Sequence, residues 1–113
     1  MKRVLFVCRR NRLRSPTAEQ IFAAWPSAGK PSLETASAGL SPDAEERLSP
    51  EHIECADTIL VMERAHKAQL TARFGKHLKG KRVASLDIPD NYDFMDPVLV
   101  ELLLRKVPRY ISS

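Results

Sequence analysis

Two cysteines in 113 residues, Cys8 and Cys55, are too few for a disulfide scaffold. No secretory feature accompanies them, so both are expected as reduced thiols. Long apolar runs are also missing. The stretch over residues 4–8 is closed by Arg9 and Arg10, too short for a signal-peptide core or a membrane span, and a cytoplasmic protein without membrane attachment is expected. The three histidines, His52, His66 and His77, show no zinc-ligand spacing. His52 and Cys55 lie three apart, but two ligands make no site, so neither metal nor cofactor is expected. Aromatic residues make up only 6% of the chain, and none interleaves with the arginines as a base-stacking platform requires. Repeats and low-complexity tracts are absent, which excludes solenoid and linker architectures.

The remaining composition, 43% hydrophobic and 28% charged, is that of one ordinary globular domain over 1–113. The net charge of +4 is gathered in two places. Lys2, Arg3, Arg9, Arg10, Arg12 and Arg14 form the first cluster; Lys76, Lys79, Lys81 and Arg82 form the second, which reads as a solvated turn before a strand. Without stacking aromatics, the basic balance favours an anionic substrate over a polynucleotide. No feature specifies an oligomeric state.

The most specific signal runs from Val4 to Pro16. Four apolar residues deliver Cys8; Arg14 follows six positions later; Ser15 and Pro16 then supply an N-cap and a proline at a helix start. A loop so placed lies where unpaired backbone N–H groups converge and the helix dipole attracts anions. Arg14 can grip two phosphate oxygens with its planar fork. The same electropositive setting favours the thiolate, the nucleophilic form of cysteine. Arg9, Arg10, Asn11, Arg12, Leu13, Arg14 and Ser15 are therefore the candidate phosphate-binding residues, with Asn11 suited to positive φ and Ser15 to capping the helix and bonding the thiolate.

Along the rest of the chain, strand-like and helix-like segments alternate four times. Strands are expected over 3–7, 33–37, 58–62 and 82–86. Helices are expected over 15–25, ended by Pro26, over 50–55, capped by Ser49, over 63–74, stopped by Gly75, and from Pro97 onward. A further helical turn is expected over 44–48. Ala65, Ala68, Leu70 and Phe74 mark one apolar stripe, and Val98, Leu99, Leu102, Leu103 and Val107 a wider one. This alternation predicts an α/β three-layer sandwich with a four-stranded parallel sheet, flavodoxin-like, whose crevice at the strand C-terminal ends receives both Cys8 and the loop after Leu86.

The run Val7-Cys8-x-x-Asn11-x-x-Arg14-Ser15-Pro16-Thr17-Ala18-Glu19 resembles the signature of the low-molecular-weight protein tyrosine phosphatases, a family that shares its fold with thioredoxin-coupled arsenate reductases. Ser37-Ala38-Gly39 is similar to the end of that family's second strand and residues 57–63 to its third. Ile88-Pro89-Asp90-Asn91-Tyr92 resembles the loop carrying its general acid, and this chain is shorter than the usual member. The resemblance implies a cysteine-dependent phosphomonoester hydrolase with Cys8 as nucleophile, Arg14 as oxyanion clamp and Asp90 as acid. It also implies a phosphorylated protein or small phosphomonoester as substrate, Tyr92 beside its ring, and Ser37 as a partner of Asn11.

Chemistry alone leaves Asp87, Asp90, Asp93 and Asp96 as candidate acids, with an N-cap sufficient to explain Asp96. Two family positions differ: Arg10 replaces a glycine, and Leu13 replaces a second cysteine that can protect the nucleophile. Arg12 replaces the threonine of protein-arginine phosphatases, and its guanidinium should repel a cationic phosphoarginine. Cys55 reads as a buried structural thiol, with a resolving thiol as the alternative. The rival functions are arsenate reduction and a non-catalytic module that recognises phosphate or nucleic acid.

Overall fold

Phe6, Leu60 and Val61 are wholly buried at the centre of a four-stranded parallel sheet, because the two inner strands carry apolar side chains on both faces. The computed structural model describes residues 2–10, 14–23, 33–89 and 91–111, with backbone only at Lys2, Arg14, Ala23, Leu33 and Ile111. In chain order the elements are β1 (Lys2–Cys8), α1 (Arg14–Ala23), β2 (Leu33–Gly39), α2 (Pro50–Cys55), β3 (Thr58–Val61) and α3 (Arg64–Phe74). A single 3-10 turn (Gly75–His77), β4 (Arg82–Ser85), α4 (Pro97–Lys106) and α5 (Pro108–Ile111) complete them. The sheet order is β2-β1-β3-β4, the doubly wound arrangement expected from the sequence.

The period-two pleat of β1 divides the core. Val4, Phe6 and Cys8 pack with Ala18 and Phe22 of α1 and with Leu99, Leu103 and Val107 of the C-terminal helices. Leu5 and Val7 face the opposite layer, with Ile53 of α2 and Leu70 of α3. Register fixes the depth of each strand: Val4 pairs with Thr58 and Val7 with Val61, while Cys8 pairs with Gly39 across β2.

Several local expectations are corrected. Residues 44–48 form no helical turn; Gly39 donates to the Glu46 carbonyl at 2.8 Å and accepts from the Leu48 amide at 2.9 Å, so this segment pairs in parallel with the end of β2 through a Gly39–Arg47 bridge. α3 does end at Phe74 with Gly75 as its C-cap, as expected, but the cap is not left-handed. Its φ is −51° and the chain tightens into the 3-10 turn, while the positive φ of 81° falls at Gly80. The buried face of α3 is His66 and Leu70 with half-buried Phe74, whereas Ala65 and Ala68 are exposed, because the helix meets the sheet along an i, i+4, i+8 line. The stripe on α4 is likewise narrower: Leu99, Leu103 and Val107 are buried and Val98 is 54% exposed.

Candidate active site

Cys8 is the last residue of β1, and its Sγ lies 2.9 Å from the hydroxyl of Ser15 in the first turn of α1. Both side chains are buried. The strand end thus delivers the thiol to the N-terminus of α1, the positive end of the helix dipole. The hydroxyl can donate to that sulfur, a hydrogen bond that strengthens when the acceptor is ionised.

The path out of Cys8 is fixed by the segment following β2. The amides of Leu40, Ser41 and Glu45 donate to the carbonyls of Cys8, Arg9 and Arg10 at 3.0, 2.8 and 3.1 Å. Gly39 makes this approach feasible, since a Cβ there would lie 2.5 Å from Ala44 Cβ and 2.9 Å from both the Arg9 carbonyl oxygen and the Arg10 carbonyl carbon. The side chains of Arg9 and Arg10 are exposed. Asn11, Arg12 and Leu13 lie outside the described residues, as does the side chain of Arg14, whose backbone opens α1. Ser37 donates to Glu19 Oε1 and so joins β2 to α1; its expected pairing with Asn11 lies outside the described residues.

The opposing wall is the loop from β4 to α4. Leu86 and Ile88 extend the sheet by donating to the carbonyls of Val61 and Met62, each at 2.8 Å. The Lys106 ammonium reaches the carbonyls of Leu86 and Asp87 at 2.9 and 3.3 Å. Further on, the Met95 amide donates to the buried Thr17 hydroxyl at 3.0 Å, which fastens the loop to the helix that opens beside Cys8. Asp87 and Met95 hold φ of 55° and 61°, left-handed values that cost energy without glycine and persist where surrounding bonds enforce them.

The acidic candidates divide within this frame. Asp87 accepts from Ser85 at 2.8 Å and meets Arg64 at 3.5 Å. Asp96 accepts from the Val98 amide at 2.9 Å and caps α4, the role that its following proline suggested. Asp93 is exposed, and its carbonyl accepts the Asp96 amide at 3.1 Å. Asp90 lies outside the described residues. Tyr92 is half-buried against the core cluster that contains Cys8. Thr17 and Lys106 were missed from the sequence; the available signal for Thr17 was a polar residue adjoining the apolar face of α1, and Lys106 had none, being one lysine in the last turn of a helix.

Cys55 requires a correction. It is exposed rather than buried, at the end of α2. It is also far from Cys8: the Asp57 amide bonds the Arg3 carbonyl at 2.8 Å, so Cys55 adjoins the first residues of β1 while Cys8 is the last. Five strand residues separate those ends by about 16 Å, so Cys55 does not resolve an oxidised Cys8 within one chain. His52 is structural too, accepting the Ser49 amide at Nδ1 and meeting Glu46 at Nε2. Among the described residues, no three His, Cys, Asp or Glu side chains gather as metal ligands would, and no helix is long and apolar enough to cross a membrane.

With this geometry established, likeness to known proteins sharpens the picture. The family model of low molecular weight phosphotyrosine protein phosphatase matches residues 3–58. A low molecular weight protein tyrosine phosphatase from T. tengcongensis is 25% identical, with 93% of this chain and 92% of that one covered and a TM-score of 0.72. The corresponding protein of Streptococcus pyogenes is 18% identical over 100% and 95%, with a TM-score of 0.76. The YwlE arginine phosphatase of Geobacillus stearothermophilus is 24% identical over 93% and 85%, with a TM-score of 0.70. The last two show the shared fold. No curated protein matches the chain.

Proposed function

From the premise that this chain belongs to the low molecular weight phosphotyrosine protein phosphatase family and is a cysteine-dependent phosphatase, we propose that phosphotyrosine or a related phosphomonoester is its substrate and that Cys8 is the nucleophile. The observation that carries this reading is Cys8 Sγ at 2.9 Å from Ser15, at the N-terminus of α1. The thiolate attacks phosphorus in line, and the P–O bond to the leaving group breaks as the S–P bond forms. Arg14 and the amides of the loop containing Arg9, Arg10, Asn11, Arg12 and Leu13 hold the equatorial oxygens while charge shifts toward the leaving oxygen. Asp90 protonates that oxygen, then takes a proton from the water that hydrolyses the cysteinyl phosphate. The structural bonds of Asp87 and Asp96 support Asp90 as the acid. Tyr92, at the edge of the cluster containing Cys8, lines the aromatic ring of the substrate.

Phosphotyrosine is favoured over phosphoarginine because Arg12 adds a positive charge to the loop. Arsenate reduction by the same loop is not favoured, since the second thiol sits at the far end of the sheet. A single domain over 1–113 working in the cytoplasm, with phosphorylated protein as partner, completes the proposal. The test is steady-state hydrolysis of an aryl phosphate with EDTA present. Turnover that survives the chelator and disappears in Cys8→Ser is expected; phosphate binding without turnover in the wild type would replace the enzyme with a recognition module.

A further inference from the structure

Among the described residues, three of the four large exposed apolar side chains lie together, the fourth being Leu104 farther along α4. Phe94, Met95 and Val98 are 47%, 42% and 54% exposed, within five positions of each other on the loop and helix start that face α1. Beside them, Phe94 and the Pro16, Glu19 and Gln20 positions of α1 line an open cleft of about 340 Å³. Positions 16, 19 and 20 are related by i, i+3 and i+4 and so form one stripe along the helix. The stripe begins one residue after Ser15, the hydroxyl that contacts Cys8. Thr17, on the same turn, holds Met95 through its amide at 3.0 Å and so sets Phe94 in register with the helix.

We propose that this cleft receives an apolar side chain one or two residues away from the phosphorylated residue of a protein substrate, with Phe94 as the specificity-determining contact. The inference rests on the phosphatase reading of Cys8 and adds to it a class of substrate sequence. Continuity with the catalytic loop identifies the occupant: four helical residues advance about 6 Å, the reach of one to two residues of extended peptide. A polypeptide whose phosphate sits at the N-terminus of α1 therefore brings its neighbouring side chain to Phe94. The carboxylate of Glu19 is turned to Ser37 rather than left to repel an apolar group. Exposed apolar clusters of this kind mark binding surfaces, and here the cluster adjoins the phosphate loop.

The test compares kcat/KM for tyrosine-phosphorylated peptides that carry leucine or serine beside the phosphotyrosine, each divided by kcat/KM for para-nitrophenyl phosphate. Wild type is expected to prefer the leucine peptide by roughly tenfold, the scale on which one apolar contact discriminates. Phe94→Ala is expected to bring that ratio to about one, while Phe94→Leu retains most of it. A wild type indifferent to the flanking residue, or a preference that survives in Phe94→Ala, overturns the inference while leaving the phosphatase intact. Self-association that Phe94→Ala abolishes, with the peptide preference unchanged, would make the patch a contact between copies and also overturn it. If para-nitrophenyl phosphate itself is not hydrolysed, the phosphatase reading falls first and this inference with it.

Discussion

The two ends of the sheet each carry a cysteine, and they differ in every respect that matters to thiol chemistry. At the C-terminal end, Cys8 is buried, touches a hydroxyl at 2.9 Å and adjoins the start of a helix. At the other end, Cys55 is exposed and closes α2, where the Lys81 ammonium takes up the neighbouring carbonyls of Glu54 and Ala56 at 3.2 and 2.7 Å. Cys55 does not lack room: the cleft beside it, walled by Arg3, Glu34 and His52, is about 420 Å³. The difference teaches that exposure and room alone do not set a thiol beside a helix start; Cys8 has that seat, with the Ser15 hydroxyl at 2.9 Å, and Cys55 does not.

Substitutions can break this comparison. Cys8→Ser should remove aryl phosphate turnover by on the order of 10⁴-fold or more, the cost of losing a covalent nucleophile. Retained activity in that variant would end the case for the C-terminal end of the sheet. Asp90→Asn should cost about 10²- to 10⁴-fold on an alkyl or phenyl ester and much less on a nitrophenyl ester, whose leaving oxygen hardly needs a proton. An equal loss on both esters would exclude it as the acid.

Smaller effects sharpen the contrast. Ser15→Ala removes the hydrogen bond to Cys8 Sγ, so kcat should fall about tenfold to a hundredfold, with the phosphate dissociation constant measured alongside. Gly39→Ala forces a Cβ against Ala44 and the Arg9–Arg10 backbone, and should lower stability by roughly 1–3 kcal/mol in urea unfolding. Cys55→Ser should leave kcat/KM within about twofold, as expected for an exposed residue far from the chemistry. A large loss there would return Cys55 to the mechanism.

Much of this was legible in advance, and what was not has definite causes. The position of Cys8 at the end of a buried strand and the cap at Asp96 follow from short-range signals, an apolar run, a Ser-Pro pair and an Asp-Pro pair, each interpretable within a few residues; the parallel sheet follows from the alternation of strand and helix. The errors occurred where distant backbone decides. The 44–48 segment has helical composition, yet its backbone is engaged by Gly39. Ala65 and Ala68 satisfy a helical stripe, yet the sheet is met by His66 and Leu70. Cys55 is small and apolar enough for a core, yet lies where its helix ends at the surface. Thr17 and Lys106 act through partners 78 and 20 positions away, a relation no local pattern encodes.

Those two long-range fastenings bear on how the protein comes into being. Synthesis releases the N-terminus first, so Cys8 and the start of α1 leave the ribosome long before the residues that face them. The wall after β4 is secured by the Thr17–Met95 hydrogen bond and by Lys106, near the close of α4. A nascent chain thus carries the Cys8 thiol without the opposing half of its crevice until α4 has been made. Catalytic competence becomes a late checkpoint of biosynthesis, and truncation within α4 should yield a chain that retains the thiol but lacks the closed wall.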